Sequence, residues 1–132
     1  MDVSPSLTYT DLEAALAFLE QAFAFVREDV GSDSQGMVRY ASVRYGRGLV
    51  LVQPDLPGEL HGTHIGQGWV YVAVANLDAH FEHARAAGAA ILGEPHDAFE
   101  GRLRGYSARD PEGNLWSFGE NPPGYSPQIT TT

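Results

Sequence analysis

Histidine, tyrosine, tryptophan and arginine are the side chains from which this chain could build chemistry. Its five histidines fall as two pairs and a single. His61 and His64 stand in a Pro- and Gly-rich stretch, while His80 and His83 stand at helical spacing and so share one helix face. Two imidazoles without a third donor hold a divalent metal poorly, so neither pair makes a metal site by itself. No histidine joins a Ser/His/Asp or Cys/His arrangement, and no GxSxG, phosphate-loop or dinucleotide fingerprint occurs. All eight basic residues are arginine, which excludes lysine Schiff bases, and there is no cysteine, which excludes disulfides and thiolate chemistry. Aromatic rings remain, above all Trp69 and Tyr71, with Tyr40 and Tyr106, and they are suited to stacking on a guest rather than to breaking its bonds.

A chain of 132 residues, 43% hydrophobic and 19% charged, fits one globular domain with a real core. The net charge of −9 opposes phosphate backbones, so nucleic acid is not expected as a partner. The amino terminus, "MDVSPSLTYT", has neither a basic start nor an apolar run, and no stretch approaches a membrane span. Together with the absence of cysteine, this places the expectation in the cytoplasm, with no membrane partner.

The elements that must position these rings come in duplicate. An offset of 65 residues lays "DLEAAL" (11–16) on "NLDAHF" (76–81), and "RYASVRYGRG" (39–48) on "RGYSARDPEG" (104–113), without a gap. In the first half, residues 4–10 alternate polar and apolar as a half-buried strand does. Asp11 offers a cap for a helix from Leu12 to Phe25, whose Leu12, Leu16, Leu19 and Phe23 recur at helical spacing. "MVRYASVRY" and "GLVLVQ" then read as two strands joined by a turn at Gly46 to Gly48. The second half repeats this as "GWVYVAV", a helix capped by Asn76 and ended near Gly88, a strand around Ala90 to Leu92, another from Arg102 to Ala108, and "NLWSFG". The expected fold is α+β: two βαβββ modules, about 3–53 and 68–120, forming a curled mixed sheet around a cavity with helices on the outer face. Residues 54–67 form a linker and 121–132 a tail.

Paired βαβββ modules, "DLEAALAFL" after the first strand and "DPEGNLW" before the last resemble the vicinal oxygen chelate superfamily, which includes glyoxalase I, extradiol dioxygenases and the fosfomycin- and bleomycin-resistance proteins. The resemblance spans roughly residues 3–120, and the DPxGN turn is its specific part. It implies a homodimer and, in the family's metal enzymes, His ligands on the opening strands and Glu ligands on the closing ones. Against the family's "HIxFxVxDLD" opening, the His positions fall on Ser4 and Trp69. Its "DPxGNxxE" closing puts one Glu at Ser117, and the repeat puts the other at Val52. Ser, Trp, Ser and Val supply no imidazole or carboxylate donor, so neither metal nor other cofactor is expected. Glu120, three residues past Ser117, falls on the opposite face.

With that parity, Ser4, Ser6, Thr8, Val50, Val52, Trp69, Tyr71, Ala73, Leu115 and Ser117 face the cavity, while Leu7, Tyr9, Leu49, Leu51, Val70, Val72, Trp116 and Phe118 face the helices. The cavity list is apolar and aromatic with scattered hydroxyls, as a pocket for a flat or greasy molecule requires. Trp69 either stacks on that guest or fills the hollow itself. Tyr40 and Tyr106 add rings, Arg104 a cation for an anionic group, and His64 and Phe99 sit where loops can fold over the mouth; Arg44 and Arg109 brace the turns. The expected activity is sequestration of an aromatic or amphipathic small molecule without metal, as bleomycin-type resistance proteins perform. Two alternatives stand beside it. One is a lyase, isomerase or dioxygenase with displaced ligands drawn from Glu120, His61 and His64, or a metal-free catalyst using a tyrosine or His64. The other is a scaffold whose own side chains fill its cavity.

Overall fold

Short polar side chains set where the helices begin. Asp11 accepts from the Ala14 N–H at 3.1 Å at the head of α1 (Leu12–Ala22), and Asn76 accepts from the Ala79 N–H at 3.1 Å at the head of α2 (Leu77–Ala86), each satisfying an N–H that the first helical turn leaves unpaired. The first helix stops at Ala22, short of the Phe25 expected. Ala24 takes a φ of 65°, and the reversal lets Phe23 and Phe25 both reach the core. The structure, a computed structural model, describes residues 3–55, 65–98 and 103–120.

The first module contributes β1 (Ser6–Tyr9), β2 (Val26–Ser32), β3 (Val38–Tyr45) and β4 (Gly48–Pro54), hydrogen-bonded in the order β1-β4-β3-β2. The second contributes β5 (Trp69–Ala73), β6 (Ala90–Ile91), β7 (His96–Ala98), β8 (Leu103–Arg109) and β9 (Leu115–Glu120), in the order β5-β9-β8-β6, with β7 also pairing β8. In each module the opening strand lies parallel to the closing one, a pairing that needs the intervening helix as a crossover. The architecture is α+β, with two helices and nine strands among the described residues, in two mixed, unclosed sheets. No helix among the described residues is long and apolar enough to cross a membrane.

One core serves both modules. Leu16 and Leu19 of α1 and Leu77 and Phe81 of α2 share it with the helix-facing strand residues. Phe23 sits 4.8 Å from Phe118 and 5.6 Å from Trp116, ring to ring, so the end of the first helix packs on the last strand of the second sheet. Each sheet thus buries one face and leaves the other open.

The "DPEGN" turn latches the halves together. Asp110, buried, accepts at Oδ2 from the Tyr9 hydroxyl (2.5 Å), Asn114 Nδ2 (3.0 Å) and Trp116 Nε1 (3.1 Å), and at Oδ1 from the N–H groups of Glu112 and Asn114, both at 3.0 Å. Tyr9 belongs to the first module and the turn to the second. The next carboxylate along repeats the crossing, because Glu112 accepts from the Thr10 N–H at 2.6 Å and the Asp11 N–H at 2.7 Å, at the mouth of α1. Arg109 donates to the Gly113 carbonyl at 2.9 Å, the bracing role expected of it. Arg44 does not do the same; it pairs with Glu28 across β2 and β3.

Candidate ligand-binding site

Alternation in β5 and β9 sorts the second module as its sequence predicts. Val70, Val72, Trp116 and Phe118 are buried toward the helices, while Trp69, Tyr71, Leu115 and Ser117 stand on the open face. There they come together. Trp69, 73% exposed, donates from Nε1 to Ser117 Oγ at 2.9 Å, and Ser117 Oγ lies 2.9 Å from Ser107 Oγ on β8. Tyr71 pairs with Ser117 in register and lies over Gly119, where any Cβ would collide with the tyrosine hydroxyl and ring. The glycine is what lets the ring lie flat on the sheet. Tyr40 lies over Gly31 on the first sheet in the same way.

In the first module the expected register is wrong by one residue after the hairpin. Tyr45 pairs directly with Gly48 across two intervening residues, whereas the corresponding Asp110 bonds Asn114 across three. This deletion shifts everything downstream. Ser6 stands opposite Leu51, as its repeat partner Tyr71 stands opposite Ser117, so Ser117 corresponds to Leu51 and not to Val52. Val50 and Val52 are therefore core residues, Val52 with no exposure, and Leu51 takes the open face expected of Val52. Ser4, half-buried, precedes β1 beside this face, where Gln53 links Ser6 Oγ (3.0 Å) to Thr8 Oγ1 (2.8 Å).

The four positions at which the resemblance implies a metal shell are then Ser4, Leu51, Trp69 and Ser117, and this set does not fit a divalent ion: two hydroxyls, an alkyl and an indole offer no imidazole, carboxylate or thiolate. Two of the four bond each other. Among the described residues no three His, Asp or Glu side chains gather closely enough to hold an ion. Glu120 faces the helix side, where it accepts from the Leu77 N–H at 3.3 Å.

Two further expectations are corrected. Tyr106 pairs with Phe118, shares its helix-facing side and is buried, its hydroxyl 2.7 Å from His80 Nδ1. Burial and the neighbouring Tyr45 hold its hydroxyl well above the usual tyrosine range. Arg104 pairs with Glu120 on the same side and is bound to Asp78 at 2.9 Å. Neither reaches the open face. His64 and Phe99 lie outside the described residues.

The helix histidines serve packing. His80 donates from Nε2 to the Phe23 carbonyl at 3.0 Å and accepts at Nδ1 from Tyr106, which defines a neutral tautomer. Burial pushes its pKa below the ordinary histidine value. His83 donates to the Gln21 carbonyl at 2.7 Å, tying α2 to α1.

A cleft of about 540 Å³ opens between the modules, walled by Phe25, Tyr45 and Val50 on one side and Val70, Tyr71 and Val72 on the other. Among the described residues, Val50, Tyr71 and Ala73 of the cavity-facing set read from the sequence line it, while Trp69, Ser4 and Ser117 do not. Alternation within a strand shows which face a residue takes, but this cleft runs along the free edge of β5 against the β3–β4 hairpin, and nothing local signals that juxtaposition. Arg47, at the hairpin tip, stands at its rim.

Comparison with known proteins agrees with this geometry. A family model described as Glyoxalase/Bleomycin resistance protein/Dioxygenase superfamily matches residues 4–118. The uncharacterized protein Rv0887c of Mycobacterium tuberculosis (strain H37Rv) is 29% identical over 125 residues, covering 89% of this chain and 73% of its own. Among solved structures, TioX from Micromonospora sp. ML1 superposes with a TM-score of 0.79 at 33% identity, over 92% of this chain and 99% of that one. Lactoylglutathione lyase from Agrobacterium tumefaciens superposes with a TM-score of 0.69 at 22% identity, covering 91% and 92%, a likeness of fold.

Proposed function

Because the chain belongs to the glyoxalase/bleomycin resistance protein/dioxygenase superfamily, we propose that it is a small-molecule binding protein that sequesters a planar aromatic or amphipathic compound without a metal ion. The observation that carries the reading is the bond between Trp69 and Ser117. Two positions from which the superfamily's enzymes grip a cation are here joined to each other, and what they present outward is a broad indole face. Tyr71, flat beside it, turns the same way and continues into the apolar cleft. Affinity comes from apolar area removed from water, about 25 cal/mol per Å², with stacking to orient the guest and the Ser107 and Ser117 hydroxyls to accept or donate. No bond is broken.

Tryptophan emission tests this directly. Trp116 is wholly buried and Trp69 exposed, so a flat aromatic guest quenches or shifts the Trp69 component alone, raises the melting temperature by mass action and leaves both effects unchanged by a chelator. Stoichiometric iron, zinc, manganese or nickel in protein purified without a tag would overturn the reading in favour of an enzyme with ligands from elsewhere in the chain.

A further inference from the structure

Among the described residues, arginine is almost wholly committed. Arg27 is paired with Glu20, Arg39 with Asp33, Arg44 with Glu28, Arg85 with Glu82 and Arg104 with Asp78, and Arg109 holds the Gly113 carbonyl. Arg47 alone among the described residues' arginines has neither ion pair nor hydrogen bond there. Its place is particular. The hairpin at its root is a two-residue turn with Gly46 at a φ of 58°, the positive value that such a turn asks of its first central residue. That tight turn holds Arg47, itself exposed, at the rim of the apolar cleft between the modules.

We propose that the cleft takes an amphiphile whose flat apolar body lies between Phe25, Tyr45, Val70 and Tyr71 and whose single anionic head group, carboxylate or sulfonate, pairs with Arg47. The inference rests on the binding reading above and adds the charge of the guest and the residue that selects it. Charge complementarity argues for it: a chain of net charge −9 repels anions over most of its surface, so one uncommitted guanidinium beside an apolar cleft marks the place where an anion is tolerated. A planar guanidinium also matches two acceptor oxygens on one head group.

The test uses two dyes with the same body. 8-Anilino-1-naphthalenesulfonate carries one sulfonate; N-phenyl-1-naphthylamine is the same skeleton without it, and both brighten in an apolar site. The anionic dye should bind the native protein roughly five- to tenfold more tightly than the neutral one, with the difference shrinking as salt rises. Arg47→Gln should remove that difference by weakening the sulfonate alone, at unchanged melting temperature, since Arg47 is an exposed turn residue. Ala75→Trp, which places an indole in the cleft wall, should weaken both dyes. Equal affinity of the two dyes for native protein, or an Arg47→Gln variant that keeps the preference, overturns the anionic anchor and leaves the binding reading intact. Undiminished binding to Ala75→Trp overturns the cleft as the location. Failure of both dyes to bind native protein overturns this inference, and failure of the Trp69 titration as well removes the binding reading beneath it.

Discussion

Asp110 holds a buried carboxylate with five donors and, among the described residues, no cationic partner. Asparagine in its place keeps the shape but turns an NH₂ toward groups that are themselves donors. Asp110→Asn should therefore lower the unfolding free energy by about 2–4 kcal/mol, read as a lower urea midpoint at unchanged slope. Tyr9→Phe, which removes one donor, should cost about 1 kcal/mol. Burial first, and then the Asp110 charge, keep the Tyr9 hydroxyl protonated far above the usual tyrosine range, so the pair stays intact in alkali until the fold itself opens. His80 sets the acid side. Its folded pKa lies below the unfolded one because burial disfavours the imidazolium. Between those two values the unfolded chain binds a proton that the native chain does not, so stability falls as pH drops below about 6.5 and goes on falling until the native imidazole itself titrates. Melting curves from pH 7.5 to 5 should show a loss in the native protein that is smaller in His80→Gln.

At the scale of elements, the clearest dependence runs from the last turn to the first helix. Glu112→Ala strips acceptors from the Thr10 and Asp11 N–H groups and should cost about 1–2 kcal/mol, with exchange protection lost first in α1 although the change lies in the other module. Helix starts and the faces of β5 and β9 were legible because caps and strict alternation are local signals. The Val52 assignment failed because a one-residue difference between hairpins flips a strand, and the "RYASVRYGRG" match runs through the turn without revealing it. Strand β2 escaped notice for another reason: "VREDVGS" lies at the edge of its sheet, is broken by irregular register at Arg27/Asp29 and Gly31/Ser32, and keeps no apolar alternation. Tyr106 and Arg104 were misplaced since their strand's parity depends on its partner, Phe118 against Tyr106, which only the register supplies. The Trp69–Ser117 bond lay within reach, as both residues were read onto one face.

For the whole molecule, the open faces present Trp69 at 73%, Tyr40 at 51%, Tyr71 at 49% and Leu51 at 38% exposure. A second copy laid against the open face of the first sheet would cover Tyr40 and Leu51 and leave Trp69 and Tyr71 to the guest. Light scattering over a range of concentrations should give twice the chain's mass, and Leu51→Glu, an exposed strand position, should give single chains with an unchanged fold. The bonds that Asp110 and Glu112 accept from the first module have one more consequence. The halves exchange hydrogen bonds, Tyr9 to Asp110 and the Thr10 and Asp11 N–H groups to Glu112, and they bury a single shared core, so neither half is complete by itself. Cleaved between the modules, the protein should stay in one piece, and the two fragments made apart should each remain unfolded until mixed.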